Sequence, residues 1–171
     1  SSCQNLLSSH DVKRFLNRCG NNQDGILGAI FLQATFPGIA GVYYGDEVGL
    51  GGADDPFNRE PFPWNNEESW NKTILEFTKS MMQIKNVNPI FKYGRFELLD
   101  YEENVVIFRR ILQDESLICI VNRDRITNDI IIPSNAHSID ILYGDCEANL
   151  EDGSVKITKN AGDVGIILHE Q

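Results

Sequence analysis

The sequence predicts an α/β segment followed by an all-β domain. Two observations carry this reading: short apolar runs alternate with helical patterns in the first half, and after Gly94 the hydrophobic period changes from helical to strand-like, with polar turns at short intervals. A chain of 171 residues with 42% apolar content can bury a real core.

Residues 5–7 form the first strand candidate, followed by His10, Asp11 and a polar-apolar stretch to Cys19 that fits two helical turns. Asp24 fits the N-cap of a helix over residues 25–36. Its apolar residues Ile26, Leu27, Ile30, Phe31 and Leu32 nearly surround it, so the helix must be buried. Pro37 and Gly38 stop it, and residues 39–44 are a short apolar run of the kind found in parallel sheets covered on both faces. Residues 45–65 then form a long loop rich in Gly, Asp and Pro, and loops of that length in compact domains are commonly functional or disordered. Asn65 with Glu68 reads as a capping box for an amphipathic helix whose stripe is Trp70, Ile74, Phe77, Met81 and Ile84, ended before Pro89. These Met and aromatic side chains are assigned to the core.

Seven strands are predicted beyond Gly94, at residues 95–99, 105–112, 117–122, 129–133, 139–142, 155–158 and 164–169, a spacing that suggests an antiparallel sandwich. The boundary falls at 92–94, giving domains 1–93 and 94–171.

The formal net charge of −10, with acidic residues scattered along the chain, argues against nonspecific binding to nucleic acid or an anionic membrane and suits a neutral partner such as a sugar. Cys3, Cys19, Cys119 and Cys146 lie far apart without zinc or dithiol spacing and are read as free thiols. No apolar stretch reaches the roughly 18 residues that span a bilayer. No basic-then-apolar leader opens the chain, and it lacks an initiator methionine, so a start within a longer gene product is expected.

In a parallel α/β protein, substrate-binding groups lie beyond the C-terminal ends of the strands. Two places qualify, His10-Asp11 and Gly45-Asp46-Glu47. Taken singly, each reads as a surface loop or a cap. Adjacent carboxylates such as Asp46 and Glu47 point in different directions, whereas glycoside hydrolysis needs carboxylates that flank the scissile bond.

The order of the motifs is more informative than either alone. Asn-Leu-Leu-Ser-Ser-His-Asp at 5–11, then Phe-Pro-Gly-Ile-Ala-Gly-Val-Tyr-Tyr-Gly-Asp-Glu-Val-Gly at 36–49, resembles the seventh and eighth barrel strands of α-amylase-family glycoside hydrolases. Gly51-Gly52, Asp54-Asp55-Pro56, Arg59 and Trp64 are similar to the neopullulanase, cyclomaltodextrinase and maltogenic amylase branch. The resemblance covers residues 3–64; the later helix and sandwich agree with the family only in pattern.

It implies the last two β/α units of a (β/α)8 TIM barrel followed by an antiparallel β-sandwich C-terminal domain. It further implies a retaining double displacement, with an Asp nucleophile and a Glu general acid on strands absent from this chain. Asp11 corresponds to the family's third carboxylate, a transition-state stabiliser that binds sugar hydroxyls, and His10 to its hydroxyl-binding neighbour. Asp55 and Arg59 correspond to substrate-binding positions on the nonreducing side, and Asp46 and Glu47 to loop structure. Ser8 stands where this branch commonly has Asp, and Val12 where Thr is common. Asn71-Lys72-Thr73 is a glycosylation pattern on a predicted helix and is read as idle.

The expected function is therefore part of a cytoplasmic hydrolase cleaving α-1,4, with α-1,6 as a further option, glucosidic bonds of maltodextrins, cyclodextrins or pullulan. The chain by itself is expected to be inactive. A transglycosylase of the same family and a noncatalytic sugar-binding or assembly module are the alternatives. No metal or other cofactor is assigned to this chain, and any calcium site falls in the absent part of the barrel. The expected partners are an α-glucan oligosaccharide and either a second copy or the missing barrel half, because unpaired strand edges and an uncovered apolar helix favour association.

Overall fold

The computed structural model describes residues 3–123, 129–159 and 164–171. The chain divides into two compact units, Ser1–Asn88 and Pro89–Gln171.

In the first unit, β1 (Gln4–Leu6) and β2 (Ile39–Gly41) pair in parallel, with Gln4 opposite Ile39 and Leu6 opposite Gly41. Helix α1 (Phe15–Arg18) is a single turn, not two, because Gly20 and Asn21 adopt left-handed conformations at φ 67° and 59° and end it. Helix α2 (Gln23–Thr35) follows and α3 (Lys72–Val87) packs along it.

Two caps differ from expectation. Asn22, not Asp24, caps α2, its side chain accepting the Gly25 N–H at 3.2 Å, and Asp24 falls in the first turn, where a carboxylate favours the helix dipole. Asn71, not Asn65, caps α3 by accepting the Ile74 N–H at 3.1 Å, while Glu67–Ser69 makes a separate 3-10 turn.

Ile26, Ile30, Phe31 and Ala34 of α2 are buried, as its all-round apolar surface requires. The expected loss of cover is thus not found on this helix. At the sheet, Leu6 and Ile39 are 51% and 61% exposed, and Val42 just beyond it is 41% exposed. The run 39–44 leaves the sheet after Gly41, and its two tyrosines turn their rings to the Arg14 guanidinium, at 4.5 Å for Tyr43 and 4.7 Å for Tyr44.

The second unit opens with α4 (Pro89–Tyr93), then β3 (Arg95–Tyr101), β4 (Val105–Leu112), β5 (Glu115–Asn122), β6 (Ile130–Pro133), β7 (Ile139–Tyr143), β8 (Cys146–Glu151), β9 (Ser154–Lys159) and β10 (Gly165–Glu170). One antiparallel sheet has the order β3-β4-β5-β10-β7 and the other β6-β9-β8. Ile107, Ile118, Ile120, Ile166 and Leu168 of the first sheet share a buried core with Ile132, Cys146, Val155 and Ile157 of the second, which makes a two-layer sandwich. On the opposite face of the first sheet, Arg110 donates to Phe91 O at 3.1 Å and Gly94 O at 2.9 Å, fastening α4 to β4.

Candidate functional site

Because β1 and β2 run parallel, the segments that follow them, 8–14 and 42–60, leave from the same end of the pair. Gln33 of α2 fixes this arrangement from below. Its buried amide donates to Asn5 O at 2.9 Å and Gly41 O at 2.8 Å, one carbonyl from each strand.

The 8–14 segment is pinned at its base by the 44–52 loop. Gly45 takes φ 90°, a left-handed conformation that a side chain would strain, and so turns Asp46 inward. Ser8 Oγ donates to Asp46 Oδ1 at 2.9 Å and accepts the Phe15 N–H at 2.9 Å. Arg14, with no exposed surface, places Nη1 3.6 Å from Asp46 Oδ1 and donates to Tyr44 O. Burial pushes the Asp46 carboxyl up from 3.8 to about 6; the Ser8 hydrogen bond and Arg14 oppose the shift, and Glu47 adds to it. Asp46 is 4% exposed and is a structural anchor, in keeping with its assignment to loop structure.

Above this anchor sit the exposed polar groups. His10 Nε2 lies 3.2 Å from Asp11 Oδ2, and both side chains face solvent. Arg59 links the two loops: its Nε is 3.0 Å from Asp55 Oδ1 and donates to His10 O at 3.0 Å, and its Nη2 is 4.0 Å from Asp11 Oδ1. Lys13 pairs with Asp54 at 3.2 Å. Asp55 and Arg59 therefore gather with His10 and Asp11 in one cluster, although some 44 residues separate the two segments in sequence. An exposed carboxylate, an imidazole and a guanidinium within reach of one another can accept from and donate to several hydroxyls of one ligand, the charged acceptor giving the stronger bonds. Among the described residues, no group of three or more His, Cys, Asp or Glu is gathered to hold a metal ion.

Sequence reasoning missed Arg14, Gln33 and Asn58, the side chains that hold the site from behind. Asn58 is buried and donates to His10 O and Val12 O. The local sequence carries no signal for such contacts, since the partners lie 8 to 48 residues away.

Polar loops that leave one end of a parallel strand pair occupy the place where substrate-binding groups lie in α/β enzymes. Residues 1–93 match the family model described as alpha amylase, catalytic domain, and this chain belongs to the α-amylase family, a family of glycoside hydrolases. It is 32% identical over 160 residues to neopullulanase 2 of Thermoactinomyces vulgaris, covering 90% of this chain and 27% of that protein. With the cyclomaltodextrinase of Thermoanaerobacter pseudethanolicus it shares 39% identity over 118 residues, or 69% of this chain and 20% of the relative. The chain thus spans less than a third of the length of these curated relatives. Among solved structures, the native debranching enzyme of Nostoc punctiforme superposes with a TM-score of 0.85 at 31% identity, over 98% of this chain and 35% of that one.

Proposed function

We propose that this chain is part of a retaining α-glucan hydrolase that cleaves α-1,4, and in some substrates α-1,6, glucosidic bonds of maltodextrins, cyclodextrins or pullulan. The observation that carries the proposal is the Arg59 link, which brings Asp55 and the His10–Asp11 pair together beyond the ends of two parallel strands. In this reading β1 and β2 are the last two strands of a (β/α)8 barrel, and the sandwich is the C-terminal domain. The nucleophile and the general acid come from outside this chain. Asp11 accepts hydrogen bonds from sugar hydroxyls that strengthen as positive charge builds on the ring, and His10 binds a neighbouring hydroxyl. Asp55 and Arg59 hold the sugar units on the nonreducing side.

Names of relatives support the substrate class: neopullulanase, cyclomaltodextrinase and amylopullulanase. We place the protein in the cytoplasm by its 35% identity over 132 residues to a protein named intracellular maltogenic amylase in Bacillus subtilis. No helix among the described residues is long and apolar enough to cross a membrane. Exposed Leu6, Ile39 and Val42 support association of this face with the rest of the barrel or with a second copy.

The test is Asp11→Asn in the intact enzyme that carries this chain. Removing one preorganised transition-state contact should lower kcat by about 10²-fold or more while KM changes less. A kcat within twofold of the unaltered enzyme, with only KM raised, would show that Asp11 binds ground state and transition state alike.

A further inference from the structure

We propose that Asn58 is a positioning residue for Asp11, an inference that rests on the transition-state role of Asp11 given above. Asn58 lies in the 3-10 turn Phe57–Arg59 and is 2% exposed. Its Nδ2 carries two hydrogens, and both are directed at the backbone on either side of Asp11. One goes to His10 O at 3.0 Å and the other to Val12 O at 3.1 Å. The first bond fixes the peptide plane that enters Asp11 and the second the plane one residue further on, between Val12 and Lys13, so together they bracket the Asp11 backbone and restrict the direction in which its side chain leaves the chain. Oδ1 of Asn58 is buried without a hydrogen-bond partner among the described residues, so the donor end is the part that acts here.

The Asp11 carboxylate itself is held weakly. Its side-chain contacts, His10 at 3.2 Å and Arg59 at 4.0 Å, come from side chains 65% and 51% exposed, which water screens. Its aim is therefore set by the backbone beneath it. Gly52 makes the approach of Asn58 feasible: a Cβ there would lie 2.5 Å from Phe57 O and 2.9 Å from Asn58 Cα. The Gly52 carbonyl also accepts the Arg14 N–H at 3.0 Å, so the segment carrying Asn58 and the segment carrying Asp11 meet at this glycine.

This arrangement joins sugar binding to the transition-state contact. Asn58 stands directly before Arg59 and three residues after Asp55, so the turn that holds the nonreducing sugars also holds the backbone of Asp11. A misplacement of about 1 Å at a reacting centre can cost about 10²-fold in rate. Loss of the straddling bonds, with the Arg59 bond to His10 O retained, should cost roughly tenfold in kcat and change KM by less than about threefold.

A double-mutant cycle on the intact enzyme, assayed on maltodextrin, tests the proposal, using the unaltered protein, Asp11→Asn, Asn58→Ala and the pair. If Asn58 acts through Asp11, the double variant has the kcat of Asp11→Asn alone to within about twofold. Asn58→Leu keeps the branched shape and removes both donor hydrogens without burying a charge; it should repeat the kcat loss, and it decides the matter if the alanine variant is poorly folded. Equal kcat losses from Asn58→Ala in both backgrounds, or an unchanged kcat in both Asn58 variants, overturn the proposal and leave the role of Asp11 standing. A kcat for Asp11→Asn within twofold of the unaltered enzyme overturns that role, and the positioning role falls with it.

Discussion

The two units of this chain are held by different kinds of bond. Among the described residues the sandwich has eight strands whose backbones pair with one another, so its side chains can be apolar where the sheets face. Its main polar cluster is at Glu170 of β10. The carboxylate lies 2.8 Å from Arg109 Nε, accepts from Arg109 Nη2 at 3.1 Å and from Ser134 Oγ at 2.5 Å, and also accepts from Ser116 Oγ. Arg109 donates in turn to Pro133 O at 3.0 Å, which ties one sheet to the other. Among the described residues the sheet of the first unit has two strands of three residues each, and long polar side chains make further connections. Gln33 joins β1 to β2, Arg14 and Ser8 anchor on the 44–46 segment, and Asn58 holds residues 10–12. The bonds that stabilise this unit locally are the ones that place His10 and Asp11.

The contrast is sharpest if each cluster is broken separately. Glu170→Ala leaves the Arg109 guanidinium, 16% exposed, and two serine hydroxyls without their acceptor. We expect a loss of about 3–5 kcal/mol in urea unfolding, the range for breaking one side of a buried ion pair. Hydrogen exchange should place the loss in β4, β5 and β10. A loss below about 1 kcal/mol would mean that the cluster behaves as a surface pair and that apolar packing alone holds the sandwich.

A smaller effect is expected at Asp46, and it depends on pH. With its carboxyl raised from 3.8 to about 6, the native state binds this proton more tightly than the unfolded chain does. Its contribution to stability is therefore greatest below pH 4, falls as pH rises from about 4 to 6, and is constant above that range. Between pH 4 and 7 the unaltered chain should lose roughly 2 kcal/mol relative to Asp46→Asn, which has no carboxyl to titrate. Denaturant titrations of both proteins across this range provide the check. The opposite slope would mean that attraction to Arg14 outweighs the cost of burying the carboxylate.

Much of the sandwich was legible in the sequence because strand period and turn residues are local signals. Residues 105–112 were read with their observed bounds, as β4. The missed strand is β8, whose sequence Cys-Glu-Ala-Asn-Leu-Glu alternates inward and outward but places only small or single apolar groups on its inner side. Both helix caps were misplaced for a related reason. Asn22 and Asn71 compete with nearby Asp24 and Asn65 as cap residues, and only the path of the preceding chain decides between them.

For the candidate site, the motif order pointed to His10, Asp11, Asp55 and Arg59, and the fold gathers them. The supporting residues were not legible. Arg14 carries no signal in the sequence, yet it is fully buried against two tyrosine rings and Asp46. Ser8 reads as a departure from the branch pattern, yet its hydroxyl is what joins Phe15 N–H to Asp46. Such roles arise only when segments distant in sequence meet.

We propose a division of labour in which this chain contributes contacts to an α-glucan transition state and the nucleophile and acid that break the bond lie outside it. Reducing-sugar release from maltodextrin, pullulan and cyclodextrin by the highly purified 171-residue chain tests it most directly. We expect no turnover above the buffer blank, and the same result with Asp11→Asn. Turnover by the chain that Asp11→Asn abolishes would contradict the claim, because the bond-breaking groups would then lie within these residues.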